Sequence, residues 1–179
     1  VTITGSPATT LNLEIYDFGA GLKEDIVPGL GTPDVLNYSW NEYGNRVGAW
    51  RLMELFSELE IRPTISLNSR LCGSYPELPG AFAKSGAAIV CHGRTNAEAQ
   101  AGLDEAAERK LINDVRAEIA HLTGYPPNGW LGPWIAETER TPDLLQEAGF
   151  TYLLDWCMDD QPVWMTTRSG RILSVPYPQ

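Results

Sequence analysis

Several short segments of the chain carry residues that can move protons or hold a polar ligand. Glu14 is followed by Tyr16 and Asp17, Asn68 by Ser69, and His92 by Gly93-Arg94-Thr95-Asn96. Further on stand Gly132-Pro133-Trp134, then Asp155-Trp156 followed by Asp159-Asp160. A carboxylate and an imidazole are the usual proton-exchanging groups of an active site. Amides and indoles orient a small ligand and wall it from water. An unpaired carboxylate inside an apolar segment is costly, so Glu14, within Leu11-Asn12-Leu13-Glu14-Ile15-Tyr16, needs a partner or a task. Plainer readings stand beside these: a salt-bridged Glu14, a structural His92, a capped loop at Asp155-Trp156, and solvated acids at Asp159 and Asp160.

The same residues form no compact metal motif. No second histidine stands three or four residues after His92, and position 96 is Asn96. Glu14, Asp17, His92 and Asp155 follow no ligand spacing, so a hard cation held by oxygens is weakly supported. Neither phosphate-loop pattern occurs after a strand, and G-x-S-x-G is absent. The other histidine, His121, falls on the polar side of a predicted helix and reads as a surface residue.

These groups need a frame that gathers them. Leu11–Tyr16 alternates apolar and polar residues and predicts a strand. Gly19–Tyr38, broken by Gly and Pro, reads as one long loop. Asn45–Glu60 carries an apolar helical stripe at Ala49, Leu52, Phe56 and Leu59. Strands follow at Thr64–Leu67, Ala87–Cys91, Gly129–Leu131 and Tyr152–Leu154, with helices at Pro76–Ser85, Glu105–Thr123 and between Thr141-Pro142 and Gly149. Asp104 caps the Glu105 helix and Gly124 ends it. Val163–Thr167 and Arg171–Val175 flank Ser169-Gly170 as a hairpin. Alternating strands and helices predict an α/β fold with a parallel sheet, open or closed into a barrel. In such folds the site lies at the carboxyl ends of the strands, which is where the polar and aromatic residues fall.

Composition narrows the function. Across 179 residues, 13 Lys+Arg against 23 Asp+Glu leave a formal charge of −10. That disfavours nucleic acid, whose phosphates need a basic face, and docking on an anionic membrane. Hydrophobic residues make up 43%, enough for a real core. Six Trp suit a core or a pocket wall. No run approaches the ~20 apolar residues that cross a bilayer, and no signal peptide is visible in Val1–Thr10, read as a flexible N-terminus. Cys72, Cys91 and Cys157 form neither a disulfide framework nor a zinc motif, which suits a reducing, cytoplasmic compartment. One domain over residues 1–179, without a linker, is expected.

At the strand ends and between them, a joint set of motifs resembles a known group. They are Asn12-Leu13-Glu14, Pro33-Asp34 through Asn37-Tyr38-Ser39-Trp40, Tyr43-Gly44-Asn45-Arg46-Val47-Gly48, Leu67-Asn68-Ser69 and His92-Gly93-Arg94-Thr95-Asn96. Gly129-Trp130-Leu131-Gly132-Pro133, Thr141-Pro142-Asp143-Leu144-Leu145, Asp155-Trp156 and Asp159-Asp160-Gln161-Pro162 complete it. The set, from about Leu11 to Pro178, resembles the polysaccharide deacetylase superfamily and, within it, the allantoinase-like branch. The resemblance implies a distorted, incomplete (β/α) barrel and hydrolysis of a non-peptide carbon–nitrogen bond. It also implies further strands and helices after Pro178, so that this chain is most of a larger barrel.

Metal-dependent members resemble this chain with two differences. Their strand-one T-F-D-D motif, a base followed by a metal ligand, corresponds here to Asn12, Leu13, Glu14 and Ile15. Their H-[ST]-x-x-H motif keeps only His92, with Asn96 in the second place. The resemblance therefore keeps Glu14 as base and disfavours zinc or another divalent metal; no cofactor is expected. Catalytic roles are assigned to Glu14, with a pKa raised by an aromatic pocket, and to His92. Tyr16, Asn68, Asn96, Trp130, Pro133, Asp155 and Trp156 are assigned to the substrate, a small linear or cyclic amide, ureide or imide. The alternatives are a metal-dependent deacetylase of N-acetylated sugars and a non-catalytic ligand-binding barrel. An incomplete barrel leaves edge strands that a second copy can cover, so a homo-oligomer fits the resemblance.

Overall fold

The computed structural model describes residues 9–177. Most of the segment expected to be flexible lies outside the described residues, but Thr10 already belongs to the first strand.

Among the described residues the sheet has seven strands in the order β1-β2-β3-β4-β5-β7-β6. They are β1 (Thr10–Leu13), β2 (Thr64–Leu67), β3 (Ala88–Cys91), β4 (Gly129–Trp130), β5 (Tyr152–Leu153), β6 (Val163–Thr167) and β7 (Gly170–Ser174). Every pairing is parallel except the β6–β7 hairpin. Among these residues the sheet is open, with β1 and β6 at its edges. β2 and β3 are short β-branched and apolar runs, as strands covered on both faces should be.

Helices α1 (Val35–Tyr43), α2 (Ala49–Glu58), α3 (Leu71–Ser74), α4 (Glu77–Lys84), α5 (Glu105–Thr123) and α6 (Thr141–Glu147) connect the strands. The Asp104 side chain accepts from the Ala107 amide at 2.8 Å, and Gly124 ends α5 in the left-handed region at φ 84°. The long loop ends earlier than its Gly and Pro residues suggest. Asp34 caps α1, which runs through a π turn (Gly44–Gly48) straight into α2. Most apolar side chains of α1 face solvent, so no stripe announced the helix.

One large core cluster holds Leu13, Leu67, Cys91, Trp130 and Leu153 together with Phe82, Ile112 and Ile119 of α4 and α5. A smaller cluster of Val90, Leu131 and Leu154 packs Ile135 and Tyr152 on the other face of the strands. Fully burying a side chain of the size of Phe82 or Ile119 contributes about 1.5–3 kcal/mol.

Candidate functional site

Register aligns the strand ends. Leu13 pairs with Leu67, Leu67 with Cys91, Cys91 with Trp130, Trp130 with Leu153, and Leu153 with Ser174. Residues of this row point into the helix-covered core. The next residue along each strand therefore points to the opposite face. That next row contains Glu14, Asn68 and His92, followed by Leu131 and Leu154. β1 stops at Leu13, one residue short of Glu14, so the carboxylate sits at the strand mouth and not inside the strand.

Glu14 and His92 meet there. His92 Nε2 lies 3.3 Å from Glu14 Oε1, and Nδ1 lies 2.7 Å from the Leu131 carbonyl oxygen. A carbonyl only accepts, so Nδ1 carries a proton. The imidazole side chain is 4% exposed and the Glu14 side chain 21%, so the acid is the member that reaches solvent. Tyr16 donates its hydroxyl to Glu14 Oε2 at 2.8 Å, and Asn12 donates to Oε1 at 3.3 Å. The Asn45 amide holds the Glu14 carbonyl at 2.8 Å.

Asn68 and Asn96 brace this arrangement. Asn68 accepts from the Ile15 amide at 2.9 Å and donates to Asn96 Oδ1 at 3.1 Å and to the His92 carbonyl. Asn96 donates to the Tyr16 hydroxyl at 3.3 Å, and its backbone amide bonds the Ile15 carbonyl. Both amides are buried and committed to protein partners. The sequence assigned them to substrate; the structure uses them to tie the ends of β1, β2 and β3 together.

On the β4–β5 side, Asp155 Oδ1 accepts from the Gly132 amide at 2.6 Å. Trp156 is 40% exposed and donates from Nε1 to Glu137 Oε2 at 2.6 Å. Pro133 is buried against Gly93. Trp130, assigned to a ligand wall, is instead 0% exposed and packed edge-on to Phe150 in the core. Its position in the aligned row sends it to the helix side. The indole beside the acid is Trp134, edge-on to Tyr16 and donating to the Asn96 carbonyl at 2.8 Å. Trp134 and Glu137 were not among the expected site residues. Trp134 follows Pro133 at the end of the fourth strand, a position that could have found it, but no sequence pattern marks Glu137.

One groove opens on the acid and a second on its partner Tyr16. One, of about 600 Å³, is lined by Asn12, Glu14, Trp40, Asn41 and Asn45. The other, of about 690 Å³, is lined by Tyr16, Asp17, Glu24, Asn37 and Tyr38. The Arg70–Asp17 ion pair stands at the second.

The electrostatics revise one expectation. Burial pushes the Glu14 carboxyl up, but the hydrogen bonds and charge of His92, with the Tyr16 and Asn96 donors, outweigh it and leave Glu14 below its ordinary value. The aromatic surroundings therefore do not raise it. The raised carboxyls are Glu137 and Asp155, both lifted first by burial; the Asp155 charge adds to the effect on Glu137, and the Gly132 amide partly restrains Asp155. Burial also pushes the Cys91 thiol up, as suits an inert core residue.

Comparison with known proteins identifies the family and the fold. Residues 39–153 match the family model described as polysaccharide deacetylase. The chain belongs to that family. Among solved structures, a probable polysaccharide deacetylase from Pseudomonas aeruginosa PAO1 is 28% identical with a TM-score of 0.80, over 96% of this chain and 61% of its own. PuuE allantoinase is 27% identical with a TM-score of 0.80, over 96% and 61%. A putative polysaccharide deacetylase from Mycobacterium smegmatis is 25% identical with a TM-score of 0.80, over 96% and 58%. The chain thus spans about three-fifths of the length of these relatives. No curated protein matches it. The open sheet is the polysaccharide deacetylase fold, covered in part.

A metal of the kind bound by metal-dependent deacetylases does not fit the donors in this chain. Ile15, at the place of a carboxylate ligand, is apolar and buried in the core. Asn96, at the place of the second histidine, spends its amide on Tyr16 and Asn68. Among the described residues, no three His, Cys, Asp or Glu side chains converge to hold an ion. Nor, among those residues, is any helix long and apolar enough to cross a membrane.

Proposed function

We propose that this polysaccharide deacetylase family member hydrolyses a non-peptide carbon–nitrogen bond in a small amide, ureide or cyclic imide, with Glu14 activating the water. The carrying observation is the Glu14–His92 contact at the mouth of the sheet, with Nδ1 of the imidazole pinned by Leu131. Similarity to PuuE allantoinase supports the substrate class.

A depressed pKa keeps Glu14 ionised at neutral pH, the form that can accept a proton. A water against the exposed side of Glu14 gives up a proton to the carboxylate as its oxygen bonds the substrate carbon. His92 Nε2, against Glu14 Oε1, holds the acid in place as the proton is taken up. The carbon–nitrogen bond then breaks, and the nitrogen leaves with a proton from the Glu14–His92 pair. Tyr16 keeps the carboxylate aimed, and the groove beside Glu14 has room for a small polar ligand.

Glu14→Gln tests this reading against a panel of ureides, cyclic imides and N-acetyl sugars. The amide keeps the shape and cannot take a proton. A loss in kcat/KM of at least about 100-fold is expected. Activity within about tenfold of the parent removes Glu14 as the base.

A further inference from the structure

The Tyr16 hydroxyl has one proton and two carboxylates within reach of it. Glu14 Oε2 lies 2.8 Å away and Glu24 Oε2 lies 3.3 Å away, while Asn96 Nδ2 donates to the same oxygen at 3.3 Å. A phenol donates once. The shorter contact, to Glu14, takes the proton, and Glu24 is left facing an oxygen with nothing to give. Among the described residues no cation offsets Glu24 either. Lys23 is held by Asp25 at 2.9 Å and Asp34 at 3.2 Å, and Arg70 is paired with Asp17.

The chain holds Glu24 in this place. It lies on a strap between β1 and α1 that is pinned at both ends. At one end the Leu22 amide donates to the Ala97 carbonyl at 2.9 Å. Gly21, at φ 73°, packs so closely there that a Cβ would overlap the same carbonyl. At the other end the buried Asn37 of α1 grips Val27, accepting from its amide and donating to its carbonyl, both at 2.9 Å. With both ends fixed, the strap presents Glu24 over Tyr16.

The two grooves meet at this point. Tyr16 and Asn41 line both of them, whereas Glu14 lines only the first and Glu24 only the second. A ligand whose reacting carbon stands at Glu14 can therefore extend past Tyr16 and Asn41 toward Glu24. What Glu24 lacks is a donor, and ureides and cyclic imides carry N–H groups beside their carbonyls. An N–H given to a carboxylate makes a charge-assisted hydrogen bond. The same charge, with Asp17 and Asp34 lining the second groove, repels an anionic ligand.

We propose that Glu24 is a specificity residue: it accepts an N–H of the substrate beside the Tyr16 hydroxyl and restricts the site to N–H-bearing ligands without negative charge. The proposal rests on the reading of Glu14 as base for small amides, ureides and imides, and narrows that class.

Binding of hydantoin, a cyclic ureide with N–H groups on both ring nitrogens, tests it without turnover. Its N,N′-dimethyl derivative keeps the ring and loses both donors; its carboxymethyl derivative keeps the donors and adds a negative charge. By ligand-observed NMR the parent should bind hydantoin at least about tenfold more tightly than the dimethyl compound. Glu24→Ala should shrink that preference below about threefold and bind the carboxymethyl compound more tightly than the parent does. Glu24 is exposed, so the variant should fold like the parent by circular dichroism. No binding of hydantoin, no N–H preference in the parent, or a preference that survives Glu24→Ala overturns the assignment. The base is read separately, by turnover. A Glu24-dependent preference in a protein whose Glu14→Gln variant stays active removes only the base; an inactive Glu14→Gln with no such preference removes only Glu24.

Discussion

Tyr16 shows how much of the site is held by single atoms. Its hydroxyl donates to Glu14 and accepts from Asn96. Tyr16→Phe removes a donor to the charged form of the acid, so the Glu14 pKa should rise toward its ordinary value. The acid limb of the kcat/KM profile should move to higher pH, with a loss of about tenfold at neutral pH. Glu14 was legible in the sequence because a charged residue in an apolar segment is out of place there. His92 was legible because it follows an apolar run. Glu137 was not: it sits in a loop beside Glu139 with no spacing to set it apart, and its importance comes from Asp155, 18 positions along the chain. Trp130 was misjudged because composition says that a tryptophan suits a pocket and only strand register says which face it occupies.

At the scale of elements, the turn after β3 places His92. Gly93 has φ 62°, and a Cβ there would stand 2.5 Å from Pro133 Cγ. Both conformation and space exclude a side chain. Gly93→Ala should therefore cost about 1–3 kcal/mol in urea unfolding and pull the β3 and β4 ends apart. At α5, Asp104→Ala should cost about 1 kcal/mol in the same assay, through loss of the cap on Ala107. The caps, the parallel strands and the terminal hairpin were readable because each has a local signal. The start of α1 was hidden among the Gly and Pro residues of the preceding loop, and its exposed apolar residues gave no stripe. The short α3 was missed because its four residues, Leu71–Ser74, are too few to show a helical period.

Across the whole molecule, stability should depend on pH from both sides. Glu14 is held below its ordinary value, so its contribution is present above the unfolded carboxylate pKa and fades as pH falls through the folded one. Glu137 and Asp155 are held above theirs. Their contribution is complete below the unfolded pKa and drains away as pH rises through neutrality. The net charge of −10 adds self-repulsion in the same alkaline direction. Thermal melting across a pH series should peak on the mildly acidic side, and Glu137→Gln should flatten the decline toward neutral pH. An unchanged slope in that variant contradicts the raised Glu137.

The aligned row from Leu13 to Ser174 also limits how such a site can diversify. Adding or deleting one residue within β1, β2 or β3 turns the next side chain to the other face of the sheet. Deleting a residue before Cys91 would send His92 into the helix-covered core and aim Gly93 at Glu14. Length changes in these strands erase the constellation in one step, whereas the loops after them can lengthen without moving it. New specificities in a chain like this one can therefore arise by point substitution at the strand mouths or by growth of the loops, and the strand lengths are the part that must stay fixed.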